Sequence, residues 1–183
     1  MRDALRQDSV GIRAYRPGDE ESLYAAVCES IPEVSKYETW CHPDYRREEA
    51  IGYVNYWIRM REKEQAFYYA IEDLKTGTFL GSCGISGLNR EHRHAMLGYW
   101  VRTSRSCQGI ATSAARLVAR LGFEDLDLIR IELPIAVDNV ASCRVAEKIG
   151  AVREGVLRKR LILPVGPVEV AMYGLLPEEL RLK

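Results

Sequence analysis

Residues 97–123, LGYWVRTSRSCQGIATSAARLVARLGF, limit what this chain can fold into more than any other stretch. Met96 to Val101 is a short apolar run rich in Tyr, Trp and Val, and reads as a strand. A polar loop with one glycine follows, and a helix starts almost at once. Ile110, Ala114, Leu117, Val118 and Leu121 fall on one face of that helix, with Arg116 and Arg120 off it. The first amides of a helix have no intrahelical acceptor and carry the positive end of the macrodipole, so a strand–loop–helix junction of this kind suits an anion. A phosphate-bearing ligand is the first hypothesis, although many such junctions bind nothing. Gly109 would let a ligand approach the backbone, and Arg105 adds a cation. A Walker loop would need Lys and then Ser or Thr after its last glycine, whereas Ile110 and Ala111 follow Gly109. A dinucleotide fingerprint would need three glycines where this loop has one.

Elsewhere the pattern alternates strands and helices. Val10 to Tyr15 reads as a first strand stopped by Pro17-Gly18. Asp19 is placed to cap a helix that buries Leu23, Ala26, Val27 and Ile31 and is broken by Pro32. Glu33 to Tyr45 is irregular and dense in aromatic and polar groups, and a long helix follows from Glu48 to about Glu64. Ala66–Ile71 and Thr78–Leu88 read as antiparallel strands about the Lys75-Thr76-Gly77 turn. Ile129–Val137 is a buried strand. Asn139 caps a helix to Ile149 that Gly150 stops, and Val156–Leu163 with Val168–Leu175 form a hairpin. The expected order is β-α-α-β-β-β-α-β-α-β-β in one domain spanning residues 1–183, an α/β (α+β) chain with a mixed, mostly antiparallel sheet flanked by helices.

Composition narrows the function. With 26 basic and 26 acidic residues the net charge is zero, which argues against general binding to nucleic acid or a membrane surface. No apolar run approaches the roughly 20 residues needed to span a bilayer. The five cysteines contain no Cys-x-x-Cys pair, and the first ten residues are charged throughout and do not read as a signal peptide. Reduced thiols in the cytoplasm are the expectation. His92 and His94 are two apart with no third ligand apparent, so no metal site is expected. Oligomeric state, monomer or homodimer, is not readable, although an edge strand of the final hairpin could pair across a dimer.

Arg105 to Ala111, RSCQGIA, resembles the pyrophosphate loop of the GNAT acyltransferases, Gln/Arg-x-x-Gly-x-Gly/Ala, with Ser106 first, Gly109 as the glycine and Ala111 last. Ser106 and Cys107 depart from that pattern. Residues 129–137 run into DNVASCRVAEKIGAVREG, which is similar to the RimJ/RimL branch, the amino-terminal acetyltransferases of ribosomal proteins. Asn139, Ser142, Gly150 and Arg153 to Gly155 carry that similarity, with Ala151 in place of the usual aromatic residue. The resemblance implies the GNAT fold, acetyl-CoA as cosubstrate and direct transfer to a primary amine in a ternary complex. It also implies that Arg105, Ser106, Cys107, Gln108, Gly109, Ile110, Ala111 and Thr112 hold coenzyme A, with backbone groups of Tyr99, Trp100 and Val101 along its pantetheine and Asn139 in contact.

Ser142 emerges from the first turn of its helix, where a serine ordinarily bonds its own backbone. The resemblance instead implies a place near the cofactor sulfur, as an acid or hydrogen-bond donor to the leaving thiolate. Glu132, a carboxylate in an apolar strand, is either turned to solvent or held in a site as a base. His42 is a second candidate on the acceptor side, where Glu33–Tyr45 and Leu88–His94 would form the groove. An α-amine with pKa near 7.8 is about 10–15% free base at neutral pH, and a lysine near 10.4 under ~0.1%, a gap on the order of 3.5 kcal/mol. A site without an obvious base therefore favours the α-amine of a protein or peptide. A small-molecule amine, or a sensor that binds acyl-CoA without turnover, are the rivals. Cys107, beside a helix N-terminus, reads as a reactive thiol shielded by coenzyme A.

Overall fold

Alternation along the strands sorts side chains to the two faces of one eight-stranded sheet in the computed structural model, which describes residues 1–181. In chain order the elements are β1 (Ala4–Gln7), β2 (Val10–Ala14), α1 (Glu20–Val34), α2 (Arg47–Glu62), β3 (Phe67–Asp73), β4 (Phe79–Asn89), β5 (His94–Val101), α3 (Ile110–Asp125), β6 (Arg130–Ala136), α4 (Val140–Ile149), β7 (Val152–Leu163) and β8 (Gly166–Leu175). Short 3-10 turns lie at Thr103–Arg105 and Pro177–Glu179. The strands lie in the order β1-β2-β3-β4-β5-β6-β8-β7. Every neighbouring pair is antiparallel except β5 and β6, which are parallel and joined by the crossover α3.

One face packs on α3 and α4. Ile12, Tyr69, Ile71, Ile85, Leu97, Ile131 and Leu133 meet the apolar stripe of α3 there, and all five residues that the periodicity of that helix singles out are buried. The other face packs on α1 and α2 through Tyr15, Ala70, Phe79 and Trp100 against Leu23, Val27, Ala50 and Val54. A tyrosine lies flat across this second face. Tyr68 stands beside Gly84, which pairs with Gly98 on the next strand, and stacks on Trp57 of α2 with centroids 3.8 Å apart. A Cβ on Gly84 would come within 2.4 Å of the Tyr68 ring, and one on Gly98 within 2.8 Å of its hydroxyl.

Four expectations need correction. A further strand, β1, precedes the expected first one; its burial alternates weakly, and it is held by Arg61, which donates to the carbonyls of Met1 and Arg2, and by the Tyr69 hydroxyl on Arg2. Pro32 does not break α1, because it stands in the last turn, where Ser35 N still bonds Ile31 O at 3.1 Å. Asp19 makes no side-chain cap. Its buried carboxylate is taken by Arg13 through two 2.7 Å bonds, a charge-assisted pair that outcompetes the helix amides. The final hairpin is longer than expected, and β7 is an almost wholly exposed edge strand.

The Tyr68 stack gives a direct test. Gly84→Ala should cost about 1–3 kcal/mol through overpacking and lower Tm by roughly 3–10 °C. An unchanged melt would mean that the stack is loose.

Candidate active site

Only three residue pairs join β5 to β6: His94 with Arg130, Ala95 with Ile131 and Met96 with Glu132. Beyond them the strands part. β5 continues to Val101 paired only with β4, and β6 continues to Ala136 paired only with β8. The result is a wedge whose walls are two strand edges, with alternate backbone N–H and C=O groups of Leu97 to Val101 facing into it. An extended ligand fits such a gap by pairing with a free edge.

The wide end of the wedge leads to the N-terminus of α3. Gly109 caps that helix in the left-handed region (φ +78°), and no side chain caps it. The first intrahelical bond is Ser113 N to Gly109 O at 3.0 Å, so the amides of Gly109 to Thr112 have no acceptor among the described residues. A Cβ on Gly109 would meet nothing within 4 Å, so the cradle is open. Cys107 also has positive φ (+59°), and Ser106, Cys107, Gln108 and Gly109 are exposed, whereas Ile110 and Thr112 anchor the first turn in the core. Arg105, in the turn before the loop, lies 3.9 Å from Asp73 in a loose pair.

The segment leading into the loop is fixed by α1. Arg102 makes two bonds to Glu29, which also accepts from Ser104 N and Oγ, while Thr103 N donates to Ser30 Oγ at 3.0 Å. The Arg102 guanidinium pulls the Glu29 carboxyl down to about 2. A depressed carboxyl stabilises above its ordinary pKa, near 4.5, so this anchor is complete at neutral pH and is lost as pH falls toward 2.

Across the wedge stands α4. Asn139 caps it, its Oδ1 accepting Ser142 N at 3.1 Å, and Gly150 ends it at φ +107°. Ser142 Oγ lies 2.8 Å from the Tyr99 hydroxyl, which also reaches Ser142 O at 3.1 Å. Either oxygen of the pair can donate, and with the phenolic proton given to Ser142 Oγ the serine proton is free for a ligand. Burial raises the Tyr99 pKa, so the phenol stays protonated. The sequence pointed to Tyr99 for its backbone alone. Its hydroxyl was legible only through alternation along β5, which puts Tyr99 on the α3–α4 face with Leu97. Trp100 faces the other way and is buried among aromatic rings, so only its backbone can line the wedge.

The two base candidates are held elsewhere. Glu132 accepts Arg130 Nε at 2.9 Å, and Arg130 also holds Glu154, so this carboxylate is one member of an ion-pair cluster at the closed end of the wedge. His42 bonds Glu49 Oε1 at 2.8 Å near the start of α2, where Glu49 also accepts Arg46 N. The turn after Leu88 lies at the closed end too, beside a shallow depression of about 590 Å³ lined by Lys63, Glu64, Gln65, Gly87, Leu88 and Arg90. His92 and His94 stack with centroids 6.4 Å apart, and no described group of residues could hold a metal ion. No helix of the described residues is long and apolar enough to cross a membrane.

The acetyltransferase (GNAT) domain family matches residues 9–152. The chain is 28% identical over 171 residues to the uncharacterized N-acetyltransferase YoaA of Bacillus subtilis, covering 93% of this chain and 95% of that one. It is 22% identical over 167 residues to the ribosomal-protein-serine acetyltransferase of Escherichia coli, 91% and 92% of the two chains. Among solved structures, the RimL ribosomal alpha-N-protein acetyltransferase in complex with coenzyme A superposes with a TM-score of 0.86 at 21% identity, over 93% of this chain and 95% of that one. The open edge and the uncapped, glycine-initiated helix suit the pantetheine and pyrophosphate of coenzyme A.

Gly109→Val forces a branched residue into a left-handed conformation, which costs roughly 1–3 kcal/mol of local strain or reshapes the cradle. Calorimetric titration should show coenzyme A binding at least ~10-fold more weakly. Unchanged affinity would remove the pyrophosphate from this loop.

Proposed function

The chain belongs to the GNAT acetyltransferases, which use acetyl-CoA, and we propose that within that family it acetylates the α-amine of a protein or peptide. The observation that carries the acetyl-transfer part of this reading is the Tyr99–Ser142 pair standing at the wedge where β5 and β6 part. Acetyl-CoA supplies an acetyl group activated as a thioester. The amides of Gly109 to Thr112 and the charge of Arg105 receive its pyrophosphate, and the free edge of Leu97 to Val101 aligns the pantetheine. A backbone amide of that edge donates to the carbonyl oxygen as negative charge develops there. Ser142, backed by the protonated Tyr99, donates to the departing sulfur. The same residues, with Asn139 fixing the turn that carries Ser142, complete the donor side.

The α-amine reading is supported in two ways. Two similar proteins are named as ribosomal-protein acetyltransferases, one of them as an alpha-N-protein acetyltransferase, and an α-amine needs far less help to lose its proton than a lysine does. Five free cysteines suit a reducing compartment, and we place the reaction in the cytoplasm, with one domain carrying all of it.

Mass spectrometry of peptides with a free or a blocked amino terminus, together with small primary amines, tests the acceptor. The free terminus should gain the acetyl group fastest. Faster transfer to a small amine would overturn the peptide assignment. Ser142→Ala should lower kcat by roughly 10- to 100-fold while the dissociation constant of acetyl-CoA stays within about threefold. Wild-type kcat in that variant would remove the serine from the chemistry.

A further inference from the structure

The α1–α2 connection, residues 35–46, crosses the wedge on the face opposite Ser142. The Tyr37 hydroxyl donates to Asp138 O at 3.4 Å, the residue before the Asn139 cap, which ties this loop to the start of α4. The next residue, Glu38, accepts Trp40 Nε1 at 2.8 Å and is half-buried. No lysine, arginine or histidine pairs with its carboxylate among the described residues. The groups facing it are Trp40 and Cys41 of its own loop, Tyr53 of α2 and Tyr68 of β3.

Those groups belong to an aromatic box. Trp40 lies 5.3 Å from Tyr53 and 5.6 Å from Trp100, Tyr53 lies 5.9 Å from Trp57, and Trp57 stacks on Tyr68. The floor of the box is the sheet, where the Tyr68 hydroxyl reaches Gly98, the residue before Tyr99 on the wedge strand. Trp57 and Trp100 each bury an Nε1–H that has no acceptor among the described residues. Aromatic rings beside a carboxylate with no cationic partner suit an ammonium group. Its neighbours do not compete for the charge: burial pushes the Cys41 thiol up to about 11 and raises both tyrosines above their ordinary range.

We propose that Glu38 is the catalytic base, a carboxylate that receives the acceptor's ammonium inside the aromatic box of Trp40, Tyr53, Trp57 and Tyr68 and takes its proton. This rests on the acetyltransferase reading above. The ammonium gives one proton to Glu38, which passes it to water. The freed nitrogen pair forms the C–N bond, the C–S bond breaks with its electron pair on sulfur, the nitrogen gives its second proton to the again deprotonated Glu38 and so to water, and Ser142 protonates the sulfur and regains a proton from water. One proton is released per turnover. Amine and thiol then use opposite faces of the sheet, Glu38 on the α1–α2 side and Ser142 on the α3–α4 side.

Burial also pushes the Glu38 carboxyl up to about 7, against the opposing Trp40 bond. A carboxyl raised in the folded state favours folding when protonated, so its contribution is present below about pH 4.5 and is lost as pH rises through 7. The residue therefore weakens the fold at the pH where it would work as a base. Glu38→Gln keeps the acceptor for Trp40 and removes the charge.

The test compares wild type, Glu38→Gln and Glu38→Asp on the fastest acceptor found among free-terminus tetrapeptides and small primary amines. Glu38→Gln should lose roughly 100-fold in kcat/KM, with Glu38→Asp between the two and the thermal shift by coenzyme A unchanged. Intrinsic fluorescence gives a readout apart from turnover, because all three tryptophans lie in the box. It should titrate near pH 7 in wild type and lose that step in Glu38→Gln. The Gln variant should also melt higher than wild type at pH 8 but not at pH 5. Wild-type kcat/KM in Glu38→Gln, with acetylation intact, overturns the role of Glu38 alone. Coenzyme A binding with no amine acetylated by wild type overturns the acetyltransferase reading and this one with it.

Discussion

Where β5 and β6 cease to pair, just past Met96 and Glu132, the sheet gives up hydrogen bonds that an uninterrupted parallel pair would keep. Each strand remains fully paired on its other side, β5 with β4 and β6 with β8, so the parting is held rigidly and does not collapse. Unsatisfied strand edges inside a molecule are costly unless something pairs with them. The rest of the architecture depends on this gap. The crossover α3 starts at its wide end, α4 starts on its far side, and the α1–α2 connection spans its mouth.

The two faces of the sheet divide the work. Tyr99 points to the α3–α4 face and meets Ser142, while its neighbours Gly98 and Trp100 serve the opposite face, one by having no side chain and the other by filling the aromatic cluster. In the proposed reaction, strand alternation separates the donor for the leaving group from the acceptor's side by the thickness of one strand. Loop position is secured by charge. Arg102 and Glu29 hold the approach to the N-terminus of α3, and a neutral bond from Tyr37 adds a tie between the α1–α2 connection and Asp138.

Much of this was legible in the sequence where a period carries the information. The stripe of Ile110, Ala114, Leu117, Val118 and Leu121 placed α3, and Asn139 and Gly150 bounded α4, because caps and periodic faces are local properties. What escaped depends on distant partners. β1 is fixed by Arg61, some sixty residues away, and Asp19 is diverted from capping by Arg13. Glu132 reads as an isolated carboxylate until the hairpin brings Glu154 and Arg130 together. Glu38 lies in a stretch with no period, so its region could be flagged as acidic and aromatic, but its burial beside Trp40 exists only after folding.

A crystal structure with coenzyme A bound tests the central claim most directly. The account predicts pantetheine along the edge of Leu97 to Val101, pyrophosphate on the amides of Gly109 to Thr112, and the sulfur within hydrogen-bonding reach of Ser142 Oγ. Coenzyme A lying outside the wedge, or a sulfur directed away from Ser142 toward the closed end at Glu132, would contradict it.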